Sequence, residues 1–255
     1  MSWARQVYIK NPAEIAIMRE AGKINFQALA AAKALLKPGV STADLNAAAE
    51  EVLKKHGVTS PFKGYGRPPF PASVTISINE QLVHGIPGKR KLKEGDIVSV
   101  DCGTTFEGYV ADSAFTGGVG ELSTQAADLL DVTEKALYAG IAQMRPGKRS
   151  GDVSAAIQQY VEGHGYHVTR AYTGHGVGRQ MHEGPEVPNY GIPGKGLELR
   201  PGMTIALEPM VLVGTAETRV LSDQWTVVSA DGSLTAHFEH SVAVTEGEPL
   251  ILTVP

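Results

Sequence analysis

Apolar positions recur with helical spacing near the start of the chain, at Ile15, Met18, Ala21 and Gly22, and continue through an alanine-rich stretch to Leu36. Asn11-Pro12-Ala13-Glu14 supplies a cap, a residue suited to the first turn and an acid at the positive end of the dipole, and Lys37-Pro38-Gly39 ends the helix. A second helix is predicted from Ser41-Thr42-Ala43-Asp44, with Leu45, Ala48, Val52 and Leu53 on one face, stopping at His56-Gly57. The pattern then changes period. Ser73 to Ile78 alternates as a strand, and Gly95 to Phe115 reads as a strand, a tight turn and a returning strand. With the turn centred between Phe106 and Glu107, Asp101 is expected directly opposite Asp112, with Cβ atoms about 5 Å apart on one sheet face. Either one acid caps the turn and the other faces solvent, or something positive sits between them.

The second half repeats the programme. Residues 37–57 align without a gap on residues 145–165 at an offset of 108, matching Pro38 to Pro146, Asp44 to Asp152 and His56 to His164. Further on, LKEGDIVSVDCG from Leu92 resembles LRPGMTIALEPM from Leu199, which lays Asp101 on Glu208, and a longer offset of 127 lays Asp112 on Glu239. A period near 107 is far too long for a solenoid. The expectation is one domain over residues 1–255, built of two halves at roughly 12–121 and 124–248 about a pseudo-twofold axis. Its class is α+β: a curved antiparallel sheet with helices on one face.

Composition narrows the function. Hydrophobic content of 42% and charged content of 20% suit a soluble globular chain, and a net charge of -4 gives no reason to expect nucleic-acid binding. The one cysteine, Cys102, has no internal disulfide partner. No apolar run approaches the roughly 18 residues of a membrane span, and the N-terminus has no signal-peptide pattern, so a cytoplasmic location is expected.

The pseudo-twofold axis would bring Asp101, Asp112, Glu208 and Glu239 together, and two divalent cations would balance them. Imidazole nitrogen would favour a transition metal. Thr173 to Gly184 places His175 and His182 in a glycine-rich loop. A phosphate-cradling loop there would want a following helix, which RQMHEGPEVPNYG does not offer. His56 and His164 fall at helix ends. By strand parity His237 shares the face of Glu239, whereas His240 points away.

These residues resemble the type I methionine aminopeptidases, which have the pita-bread fold. The motifs appear in order: HGIP from His84, VDCG from Val100, ADSAFT from Ala111, GHGVG from Gly174, MHEGP from Met181, ALEPM from Ala206 and FEH from Phe238. The resemblance implies a two-metal site (Mn, Co, Fe or Zn) held by Asp101, Asp112, His175, Glu208 and Glu239, with Asp112 and Glu239 bridging. It further implies Glu208 as general base, His182 at the scissile carbonyl and His84 at the neighbouring amide. Tyr65, Phe70 and Trp225, with Phe62 and Met181, would line a closed apolar pocket for the methionine side chain. The implied substrates are N-terminal methionine peptides and nascent chains with a small second residue; a ribosome contact is left open and a monomer expected. The chain departs from the pattern at Phe62 and Thr75, where many bacterial members carry cysteine, and at His237, where glutamine is common. Alternatives are a proline-specific peptidase of the same fold and a non-catalytic binding protein.

Overall fold

Asn11 opens α1 (Pro12–Lys33) as expected: its side chain accepts from the Glu14 N–H at 3.0 Å while the Glu14 carboxylate accepts from the Asn11 N–H at 2.8 Å. The structure, a computed structural model, describes residues 6–255. After α1 come α2 (Thr42–Lys55), β1 (Thr75–Ile78), β2 (Gln81–Val83), β3 (Ile97–Phe106) and β4 (Tyr109–Gly118). The second half contributes α3 (Thr124–Ile141), α4 (Ser150–Gly163), β5 (His167–Val168), β6 (Thr173–Gly176) and β7 (Glu183–Pro188). Then follow β8 (Thr204–Leu207), β9 (Met210–Leu212), β10 (Thr218–Val220), β11 (Val227–Ser229), β12 (Thr235–His237), β13 (Glu239–Ala243) and β14 (Leu250–Ile251).

Two boundaries differ from the sequence expectation. Helix α1 stops at Lys33 rather than Leu36, because the chain tightens there into i to i−3 bonds from Leu35 to Ala32 and from Leu36 to Lys33 ahead of Pro38. Strand β1 starts at Thr75 rather than Ser73. The N–H groups of Ser73 and Val74 donate to the Asn46 side chain at 3.0 and 3.3 Å.

The register of the β3–β4 hairpin is corrected by two residues. Phe106 pairs with Tyr109, so the turn is the two-residue loop Glu107-Gly108, with φ of 47° and 79°. Two consecutive positive φ values mark a type I′ turn, whose twist matches that of the strands. Asp101 therefore opposes Ala114, and Asp112 opposes Gly103. Because the shift is even, both acids stay on one face.

The main sheet runs β1-β3-β4-β13-β8-β6-β7, with β14 on β13 and every pairing antiparallel. Its centre is the β4–β13 pair, flanked by β3 and β8, then by β1 and β6, which is the two-half order of a pita-bread sheet. The helices repeat to the residue: α2 and α4 are each 14 long and start 108 apart. Asp44 accepts from the Ser41 N–H at the head of α2, as Asp152 does from the Arg149 N–H at the head of α4.

Parity separates core from site. Val98, Val100 and Cys102 on β3 pack with Ala28, Leu45 and Leu53 of α1 and α2, while Ile205, Leu207 and Val242 pack with Leu137, Ile157 and Val161 of α3 and α4. Asp101, Asp112 and Glu239 alternate with those positions and project from the face away from the helices. On the helical side, the fully buried Asn25 of α1 donates to the Cys102 carbonyl and accepts from the Ser113 hydroxyl, tying the helix to the residues adjoining both hairpin acids. Asn25→Ala is expected to cost about 2–4 kcal/mol, since a buried group left unpaired costs about 1–3 kcal/mol. Urea denaturation of the purified variant measures this.

Candidate active site

Four neighbouring strands bring the acids together. Asp101 comes from β3, Asp112 from β4 and Glu239 from the start of β13, and Glu208 directly follows β8. The central seam is fastened through Ser241, whose hydroxyl accepts from the Asp112 N–H at 2.9 Å and donates to the Asp112 carbonyl at 2.8 Å. The Asn189 amide donates to the Glu208 carbonyl at 3.0 Å. His175 is not in a loop, as its glycine-rich surroundings suggested, but in β6. The glycines serve close packing: a Cβ on Gly174 would lie 2.7 Å from the Ala206 carbonyl oxygen, and one on Gly176 only 2.0 Å from that of Gly184. His175 Nδ1 donates to the Gly176 carbonyl at 2.9 Å, so Nε2 carries the lone pair and lies 3.4 Å from Glu208 Oε1. Donor atoms of Asp112, His175 and Glu239 all lie within 4.8 Å of one another, and those of Glu208, His237 and Glu239 form a second such group.

All the sequence-predicted site residues line one cavity: the five ligand candidates, His84, His182, Phe62, Tyr65, Phe70, Met181 and Trp225, with Thr75 beside them. Phe62, Phe70 and Met181 make a buried apolar cluster against which Trp225 packs, its ring edge-on to Phe70 at 5.2 Å. Tyr65 differs from the others. It is 42% exposed at the rim, and its hydroxyl lies 2.9 Å from His182 Nδ1. The His182 ring stands 4.3 Å from that of His175, and His84, held at a φ of 60°, meets Tyr172 and Trp225 edge-on. Burial pushes the His84 imidazole down to about 4 and that of His237 to about 3, so both are neutral at pH 7. His240 turns from the site to Thr253, at 2.8 Å, as parity predicted.

The profile of metallopeptidase family M24 matches residues 16–246. The chain belongs to this family. Within it, the protein is 51% identical to a methionine aminopeptidase of Clostridium acetobutylicum over 249 residues, covering 97% of this chain and 99% of that one. It is 49% identical to methionine aminopeptidase 1 of Bacillus subtilis, with the same coverage. A crystal structure of methionine aminopeptidase from Thermotoga maritima superposes with a TM-score of 0.95 at 45% identity, covering 98% of this chain and all of that one.

A metallopeptidase of this family uses divalent metal, and the donor set suits one. Asp101, Glu208 and Glu239 are raised well above the ordinary carboxylate range and Asp112 is pushed up to about 7, first by burial and then, for the other three, by neighbouring acids. Asp101 Oδ1, Asp112 Oδ1 and Glu239 Oε1 are buried without a hydrogen-bond partner among the described residues. Among the described residues no lysine or arginine lines the cavity to balance them. Such oxygens call for a cation or protons.

Two structural partners carried no sequence signal. Asn189, just after β7, and Ser241, in β13, act on backbone groups far away in the sequence, and neither lies in a motif that marks it.

The raised carboxylates set the pH dependence of the metal-free protein. Native acids that keep protons above the unfolded pKa, near 4, bind more protons than the unfolded chain, so stability falls as pH rises through the folded values. The metal-free protein is expected to lose melting temperature from pH 5 to pH 8, and saturating Mn²⁺ or Co²⁺ to reverse the trend while releasing protons. Calorimetric melts with and without metal test this; a metal-free melting temperature that rises over that range would refute the protonation scheme.

Proposed function

We propose that the protein is a methionine aminopeptidase, removing the N-terminal methionine from peptides and nascent chains through two divalent cations. One observation carries the reading: four acids and His175 line the same cavity as the apolar cluster of Phe62, Phe70, Met181 and Trp225. Asp101, Asp112, His175, Glu208 and Glu239 would hold the cations, and Asp112 and Glu239 sit on the two central strands of the sheet. The metals, when bound, would lower the pKa of water from about 15.7 towards neutrality and polarise the scissile carbonyl. Carboxylates with one imidazole suit Mn, Co, Fe or Zn.

The remaining work falls to this chain's side chains. Glu208, at the end of β8 and anchored by Asn189 through its backbone, takes a proton from the attacking water and passes it to the leaving amine. Tyr65 donates to His182 Nδ1, which keeps a proton on Nε2 for the oxyanion that develops on the carbonyl. His84, neutral and set beside Trp225, accepts from or donates to the neighbouring peptide amide. The apolar cluster takes the methionine side chain. Such a pocket discriminates by about 1–3 kcal/mol per methylene, which gives a preference for methionine over leucine or norleucine rather than absolute selection. Crowding by acids and imidazoles favours a small second residue.

Metal-free protein incubated with Met-Ala-Ser and with Ala-Pro peptides, with Mn²⁺, Co²⁺, Fe²⁺ or Zn²⁺ added in turn, is expected to release free methionine. Cleavage only before proline would transfer the protein to the proline-specific branch of the fold. Glu208→Gln is expected to lower kcat by about 10²- to 10⁴-fold without unfolding the protein, the range of a general acid–base group. Near-normal turnover in that variant would remove Glu208 from this role.

A further inference from the structure

His237 is a buried imidazole that the mechanism above leaves unused. It is 1% exposed, and neither of its ring nitrogens has a hydrogen-bond partner among the described residues. Buried polar groups are ordinarily paired, so a double orphan marks something for the ring to bind. Its Nε2 lies 3.8 Å from Glu208 Oε2 and 3.7 Å from Glu239 Oε2. Those separations are too long for N–H···O hydrogen bonds, which run to about 3.2 Å. They do match two donors on one ion: with each ligand about 2.1 Å from a metal, donor atoms stand roughly 3 to 4.2 Å apart.

The ring is also held there. The His237 N–H donates to Thr116 Oγ1 at 2.9 Å, and the Thr116 hydroxyl donates back to the His237 carbonyl at 2.7 Å. On the other side His237 pairs with Met210 across β12 and β9. The backbone is thus clamped between two strands, and the side chain is left facing Glu208 and Glu239.

We propose that His237 supplies a second imidazole donor to the cation position framed by Glu208 and Glu239, adding a ligand to the four acids and His175. The inference rests on the reading of this cavity as a metal centre. A position with an additional nitrogen donor binds Co²⁺, Zn²⁺ or Ni²⁺ in preference to Mn²⁺ or Mg²⁺, which favour an all-oxygen shell. Its effect is therefore on which metal the protein retains.

The test uses Co²⁺-loaded full-length protein labelled with ¹⁵N-histidine, and counts ring N–H signals moved far downfield by the paramagnetic ion. The expected count is two, from His175 and His237, falling to one in His237→Gln. Titration of the metal-free proteins should show Co²⁺ bound about 10- to 100-fold more weakly by the variant, with a smaller change for Mn²⁺. A single shifted ring signal in the unaltered protein would overturn the assignment, and that count does not depend on the variant folding. Two shifted signals persisting in His237→Gln, with Co²⁺ affinity unchanged, would overturn it as well. Absence of any Co²⁺ uptake would instead bring down the metal-centre reading and this inference with it.

Discussion

Four carboxylates on one face of a sheet, nearly removed from water, repel one another and cannot all remain ionised without compensation. Most of the architecture around them either holds them in place or keeps water out. The helices lie on the opposite face, so the apolar core closes without involving the acids. The support beneath is made of neutral hydrogen bonds to backbone: Asn25 under the β3–β4 hairpin, Ser241 across the central seam and Asn189 behind Glu208. Neutral partners fix the backbone while leaving the carboxylate oxygens available, whereas a lysine or arginine among them would occupy the cation's place.

The duplicated halves explain how one sheet delivers so many acids to one spot. Each half brings a pair of strands to the centre, and an antiparallel join between β4 and β13 sets the two pairs side by side. The halves are not equivalent in detail. Asp101 and Asp112 sit within two ten-residue strands, whereas Glu208 follows a four-residue strand and Glu239 begins β13. His175 enters from β6, which has no histidine in the corresponding place on β1. The site is symmetric in its acids and asymmetric in its imidazoles, so donor chemistry varies from one side of the cavity to the other.

Much of this could be read in the sequence because the informative quantities are local or periodic. Alternation puts Asp101 and Asp112 on one sheet face, and the repeat offsets pair them with Glu208 and Glu239. Capping chemistry places the starts of α1 and α2, and the repeat at an offset of 108 carries α2 onto α4. The hairpin register lies two residues from the one the sequence suggests, because it depends on which residues accept positive φ, and Glu107 is an uncommon choice for it. The glycines of GHGVG suggested a loop, since a sequence does not distinguish a glycine that supplies flexibility from one that lets two strands approach. Isolated contacts such as Asn25 to Cys102, or the buried pair of Lys10 and Glu183 beside Gly178, join residues that no pattern connects.

The burial that makes the acids costly also makes them effective. A carboxylate raised towards neutrality by burial and like charge can exchange a proton near pH 7, and the same surroundings strengthen its attraction to a cation. Moving these groups to the surface would relieve the repulsion and remove both properties. Cation binding and folding are consequently linked: whatever free energy the metal gains from four buried acids also stabilises the native state over the unfolded chain, in which those acids are solvated and far apart. A histidine placed against two of the acids changes this balance without adding charge, because a neutral ring contributes a lone pair to the cation and no further repulsion to the metal-free protein. Among substitutions beside Glu239, a neutral donor is therefore one that can alter metal preference while leaving the electrostatic cost of the apo fold almost unchanged.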